Sequence, residues 1–237
     1  MKVLVIGATG NFGLRLVPAL LSHGHRVVAF VRSSSKLESL LPETLHRQVQ
    51  VVEGSAKEST AIANAILDHG CDAVVNMAGL SAIAPWSHTD FPAIFRSVVA
   101  GMREAGEKRG APLRAWFLGG HLPVFHEHRE NHDLLTSLPS TAMEWSMLAP
   151  SQMTAESEMP TTTTKAKLVA NAETPPHWKH SWLRFIPLIG AVLDISMNAM
   201  RYKTTLEQSA DLIATDLETR ESPWVGLRVG IIDPSQR

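Results

Sequence analysis

Two groups of residues in this chain have types and spacings suited to chemistry. Gly7, Gly10 and Gly13 stand at G-x-x-G-x-x-G spacing between four apolar residues, Val3 to Ile6, and the amphipathic run LRLVPALL. Further on, His121, His126, His128 and His132 crowd into twelve positions with Glu127 and Glu130 between them. The glycines point to an anion. Gly7 permits a tight turn, Gly10 lets backbone N–H groups approach a pyrophosphate with no Cβ in the way, and Gly13 lets helix and strand pack closely. The phosphates then meet the positive end of the following helix.

Such a turn needs a strand before it, a helix after it and a second strand about 20 residues on. Val3 to Ile6, the run after Gly13 and His25 to Val31 meet those needs. The residue after the second strand separates the two dinucleotides. A carboxylate there holds a ribose 2′-OH, but this chain has Arg32, with Ser33, Ser34, Ser35 and Lys36 after it. A guanidinium fork suits a phosphate, and no adjacent carboxylate along the chain repels one, so NADP(H) is expected rather than NAD. Lys36 joins Arg32 among the candidate contacts.

The histidines suggest proton transfer. His121 follows the carboxyl end of a predicted fifth strand, where a cleft should open, and imidazole exchanges protons near neutral pH. His128 and His132 are four apart on a predicted helix and could share a face for zinc. No third ligand stands at a clear spacing, so no metal is expected and the charges read as a solvated face.

The elements that must position these groups follow in order. A helical turn, Lys36 to Leu41, ends near Pro42, and Gln48 to Val52 makes a third strand. Ser55, a candidate cofactor contact, is expected to cap a helix from Lys57 to Asp68. Ala73 to Met77 is a continuous apolar strand of the kind buried in parallel sheets, and Gly79 and Leu80 at its carboxyl end are expected to border the cofactor. Asp90 is expected to cap a helix with Pro92 in its first turn. Leu113 to Leu118 makes a fifth strand ending in Gly119, Gly120 and His121; a helix from Phe125 to Leu138 and a sixth strand from Glu144 to Leu148 follow. Thr205 caps a helix through Leu217, and Leu227 to Ile232 is a last strand. Alternating strands and helices predict an α/β fold, a Rossmann-type doubly wound parallel sheet in one domain over residues 1–237.

Residues 151–203 break that rhythm and read as a helical lid insertion. Trp178, Trp182, Phe185, Ile186 and Leu188 make it apolar, which suits a hydrophobic or aromatic small-molecule substrate; the bland alternative is that they complete the core. Pro187, Gly190, Asp194 and Asn198 interrupt the stretch too often for a membrane span. The formal net charge of −1, with no Lys/Arg block, argues against nucleic acid. A single cysteine, Cys71, excludes an intrachain disulfide and suits a reducing compartment. A cytoplasmic monomer or homodimer is expected.

GATGNFG, the arginine after the second strand, the block HEHRENHDLLTSLPSTAMEWSMLAPSQM and the later TTLEQSADLIATDLE together resemble the atypical short-chain dehydrogenase/reductases of the NmrA-like, NAD(P)H-binding group. The segment DISMNAMRYKTT is similar to reductases of fungal polyketide pathways. The resemblance implies that Thr9, Gly10, Asn11 and Phe12 hold the pyrophosphate, Arg32 the 2′-phosphate and Gly79 with Leu80 the middle of the cofactor. Gly119 would lie near it, and Pro150, Ser151 and Gln152 would border the nicotinamide. The departures are in the catalytic machinery. Members with the full apparatus use a Tyr-x-x-x-Lys pair, but here Phe125-x-x-x-Arg129 stands at the expected helix start, and the one tyrosine, Tyr202, lies far downstream. His121 is therefore the first candidate proton donor and Tyr202 the second. Three activities fit: an NADPH-dependent reductase of a hydrophobic, polyketide-like carbonyl or enone; a non-redox isomerase, dehydratase or cyclase; and a non-catalytic redox sensor.

Overall fold

The computed structural model describes residues 1–79, 88–120, 126–150, 152–158, 168–172, 178–187, 189–199 and 203–236. In chain order the first half runs β1 (Lys2–Ile6), α1 (Gly13–Ser22), β2 (Arg26–Val31), α2 (Ser34–Leu40), α3 (Glu43–His46), β3 (Val49–Glu53), α4 (Ser59–Asp68), β4 (Ala73–Asn76) and α5 (Phe91–Arg109). The second half runs β5 (Arg114–Leu118), α6 (His126–Ser137), β6 (Glu144–Ala149), β7 (Gln152–Thr154), β8 (Val169–Ala172), α7 (Gly190–Ala199), β9 (Lys203–Thr205), α8 (Leu206–Asp216) and β10 (Leu227–Ile232).

The main sheet has the order β3-β2-β1-β4-β5-β6-β10-β8 and is parallel except for β8, which runs antiparallel to β10. This is the doubly wound α/β sheet expected from the sequence. The inner strands β1 and β4 are nearly all apolar because both of their faces are covered. On β1, Val3 and Val5 share one buried cluster with residues of α1 and α8, while Leu4 and Ile6 share the other with residues of α4 and α5. One strand thus serves two cores through its two-residue period. Strand order reverses between β1 and β4, and the crevice beyond their carboxyl ends is where such sheets bind ligands.

Two expected caps differ from what is found. Ser55 accepts from the amide of Lys57 at 3.3 Å, which closes a turn before α4, and Glu58 holds the N-cap position of that helix with no side-chain cap. Asp90 stands at the N-cap of α5, but its carboxylate pairs with Lys57 Nζ at 2.6 Å; Thr89 Oγ1 accepts from the Phe91 amide instead, at 3.1 Å. A lysine within reach outcompetes the local backbone for the exposed Asp90 carboxylate. At α8 the expected capping box is complete, with Thr205 and Gln208 bonding reciprocally.

β7 and β9 pair in parallel, Gln152 opposite Lys203 and Thr154 opposite Thr205, and β8 joins the main sheet as an edge strand. Ahead of α7 lies a short 3₁₀ turn, Trp182–Phe185, and the two pack through a polar centre. Buried Asp194 accepts from the Ser181 amide at 2.6 Å and from His180 Nδ1 at 2.9 Å. The apolar side chains face outward: Trp182 is 76% exposed and Phe185 73%. These two residues therefore do not complete the core. No helix of the described residues is long and apolar enough to cross a membrane.

Candidate functional site

The turn between β1 and α1 is built as the glycines require. Gly7 has φ +91°, and a Cβ there would stand 2.7 Å from the Ala78 amide nitrogen at the end of β4. A Cβ on Gly13 would stand 2.2 Å from the Gly7 carbonyl oxygen, so α1 can start this close to β1 only without one. The Gly10 amide donates back to Gly7 O at 3.0 Å. Among the described residues, the amides of Asn11, Phe12 and Gly13 have no acceptor, and α1 carries no side-chain cap. Uncapped amides at the positive end of a helix, beside an open glycine turn, form an anion cradle.

The candidate contacts divide around this cradle. Gly10 and Asn11 are exposed and Thr9 half-buried, whereas the Phe12 side chain lies in the core at 6% exposure, which leaves its backbone to face a ligand. Gly79, with φ +102°, lies exposed past β4 against Phe91, where a Cβ would stand 2.4 Å from the ring. Gly119 is buried against Met147 and Pro150 is buried, while Gln152 is exposed on β7. Leu80, His121, Phe125, Ser151, Leu188 and Tyr202 lie outside the described residues.

Arg32 is exposed at the carboxyl end of β2, and among the described residues its side chain makes no hydrogen bond or ion pair. Lys36 is exposed on α2, whose N-cap is Ser33. The chain neighbours of Arg32 include no carboxylate, but the fold supplies one from the next strand: Glu53 Oε1 accepts from the Ser34 amide at 2.7 Å. Hydrogen bonds from Ser34 hold the Glu53 carboxyl below its ordinary pKa. No spacing rule along the chain finds Glu53, because it arrives through the parallel pairing of β2 with β3, which sets Val31 opposite Glu53.

Behind the cradle, Arg15 of α1 donates from Nε to Glu207 Oε1 of α8 at 2.8 Å and from Nη1 to the Asn11 carbonyl at 2.9 Å. Glu207 also accepts from the Glu156 amide at 2.9 Å. A second buried pair, Arg114 with Asp216 at 2.6 Å, joins β5 to the end of α8, and Trp116 Nε1 donates to the same carboxylate oxygen at 2.8 Å. Both pairs escaped the sequence reading, since their partners lie about a hundred residues or more apart.

On α6 the rings of His128 and His132 do not converge, and Glu127 and His128 are buried rather than on the solvated face expected. The His128 ring meets Phe91 edge-on, with centroids 5.0 Å apart, and the His132 ring meets Trp145 at 6.1 Å. Glu127, 1% exposed, accepts from the Thr89 amide at 2.8 Å and from Thr89 Oγ1 with both oxygens, at 3.1 and 3.0 Å.

Sheet order and cradle together define a dinucleotide-binding α/β protein, and comparison with known proteins narrows the class. A model of an NAD(P)H-binding family matches residues 7–177, and the chain belongs to that family. Over 87 residues it is 36% identical to an epimerase family protein SDR39U1 homolog of Arabidopsis thaliana, and over 86 residues 33% identical to a UDP-glucose 4-epimerase of Klebsiella pneumoniae. Those stretches are 37% and 35% of this chain but only 23% and 62% of the two relatives. A short-chain dehydrogenase/reductase of Veillonella parvula superposes with a TM-score of 0.66 over 99% of this chain and 95% of its own, at 13% identity. A wide-type short-chain dehydrogenase/reductase of that organism, solved with NADP, gives 0.62 over the same shares at 12% identity. The oxidoreductase ylbE of Lactococcus lactis gives 0.64 over 98% of this chain and 91% of its own, at 17% identity. These likenesses show a shared fold.

Proposed function

We propose that the protein is an NADPH-dependent reductase of a hydrophobic, aromatic or polyketide-like carbonyl or enone. The observation that carries this reading is the set of acceptorless amides at Asn11, Phe12 and Gly13 beside the Gly7 turn. Family membership supports a nicotinamide dinucleotide as the group that fills it. When bound, that cofactor supplies a hydride to an electrophilic carbon.

The chain's own residues bind and orient. Gly7, Thr9, Gly10, Asn11, Phe12 and Gly13 take the pyrophosphate, and Arg32 with Lys36 takes the 2′-phosphate. Ser55, Gly79, Leu80 and Gly119 line the middle of the site, and Pro150, Ser151 and Gln152 border the nicotinamide. His121 protonates the product oxygen, with Tyr202 as the second candidate. The exposed apolar side chains of Trp182 and Phe185 supply a surface for a flat hydrophobic substrate.

The test mixes purified protein, NADPH and a panel of aromatic ketones and enones while the nicotinamide absorbance is followed. Stoichiometric oxidation with product formation is the expected result. A second reading, a non-redox isomerase, dehydratase or cyclase, is favoured by Phe125 standing where a tyrosine hydroxyl is expected. Substrate conversion with no loss of absorbance would select it.

A further inference from the structure

Spacing along α6 draws attention to His128 and His132, but the fold turns each ring onto an aromatic neighbour. A different set comes together. His88, in the segment ahead of α5, and His126 with Glu127, in the first turn of α6, each offer a ligand atom, and the three atoms lie within 4.8 Å of one another. We propose that His88, His126 and Glu127 bind one divalent transition-metal ion of the zinc class.

Two imidazoles and one carboxylate form the nitrogen and oxygen set of open zinc sites, with a position left for water or substrate. Imidazole favours zinc, copper, iron or nickel over magnesium and calcium, which prefer an all-oxygen shell. Glu127 is buried and oriented: Thr89 bonds both of its oxygens from outside the cluster, as the outer partners of metal-binding carboxylates do. His126 Nε2 is buried and, among the described residues, has no hydrogen-bond partner. A buried ring nitrogen left so needs an explanation, and a metal ion beside the ring supplies one.

The geometry is close to closed. Bonds of about 2.0 to 2.1 Å in a tetrahedron set ligand atoms roughly 3.4 Å apart, so atoms that lie within 4.8 Å of one another need to close by at most about 1.4 Å. The rings of His88 and His126 already meet edge-on at 5.6 Å between centroids, and His88 is exposed. An exposed side chain such as His88 can change rotamer toward the other two ligands, and its exposure leaves an entry path.

The place in the fold also matters. Phe91 at the start of α5 touches Gly79 past the end of β4, and His128 on α6 touches Gly120 past the end of β5. The cluster therefore lies at the carboxyl edge of the sheet, the edge that carries the Gly7–Gly13 turn. The proposal does not depend on hydride transfer.

Untagged protein is stripped with a chelator and titrated with Co²⁺ as a spectroscopic stand-in for zinc. One equivalent producing the visible bands of low-symmetry Co²⁺, displaced by Zn²⁺ but not by excess Mg²⁺, is expected. His88→Ala removes an exposed ring, should leave the circular dichroism unchanged and should abolish the bands; His132→Ala should keep them. Absence of stoichiometric bands, or bands that persist unchanged in either His88→Ala or His126→Ala, overturns the proposal.

Discussion

Arg15 Nε and Glu207 Oε1 lie 2.8 Å apart, with both side chains almost wholly buried and the two residues 192 positions apart in the chain. Through Arg15 this pair also holds the carbonyl of Asn11 in the nucleotide turn, and through Glu207 it holds the amide of Glu156 beyond β7. The cradle, the helix α8 and the chain just past β7 are thus joined at one buried contact.

Removing one partner should therefore cost more than removing both. Glu207→Ala leaves a buried guanidinium uncompensated and is expected to lower stability by about 3 to 5 kcal/mol, as for other broken buried pairs. Arg15→Met with Glu207→Leu is expected to cost far less. Urea unfolding of the three proteins measures this. Burial alone would raise the Glu207 pKa, but the Glu156 amide and the Arg15 bond and charge outweigh it and hold it below the ordinary value of 4.5. The stabilisation is present above pH 4.5 and is lost as pH falls through the folded-state value, so the gap between wild type and Glu207→Gln should shrink in acid.

His23 has the opposite sign. Its Nε2 meets Asp211 at 2.8 Å and its Nδ1 meets Glu218 at 2.6 Å. Burial lowers the pKa of the ring, but bonds and charges from the two carboxylates outweigh it and leave it above 6.5. Its contribution is full below pH 6.5 and disappears as pH rises through the raised value. His23→Gln is expected to remove this loss as pH rises above 6.5, seen as a flatter profile of melting temperature against pH than wild type shows.

If Arg32 takes a 2′-phosphate as proposed, Glu53 would compete with it for the loop after β2, because the carboxylate already holds the Ser34 amide. Glu53→Gln removes the negative charge and should favour NADPH over NADH by a few-fold, while Arg32→Asp should reverse the preference. Calorimetric titration of both coenzymes into the three proteins decides it. Equal affinity of the wild type for the two would remove the NADP assignment.

Cys71 is fully buried, and burial pushes its thiol up to about 11. Almost no thiolate exists at neutral pH, so a disulfide reagent should react only on global unfolding. Modification of the native protein within minutes would contradict this.

Much of the fold was legible along the chain because its signals are local. Val3 to Ile6 form a strand buried on both sides, the glycines dictate the turn by lacking a Cβ, and Thr205 with Gln208 closes a capping box within four residues. Two caps differ for separate reasons: Ser55 closes a turn on the Lys57 amide because α4 starts only at Ser59, and Asp90 pairs with a lysine brought near it through space. Side-chain exposure was equally hidden, since Trp182 and Phe185 are as apolar as any core residue and yet face outward.

The amino acids in order thus determined the strand–helix alternation, the glycine turn and the place of a guanidinium after β2, each a matter of neighbours a few bonds apart. Only the tertiary structure decided which distant groups share a site: Glu53 beside Ser34, Glu207 under the cradle, and His88 against His126 and Glu127. Parallel pairing and helix packing bring together atoms whose separation along the chain carries no period, so chain spacing holds no record of them.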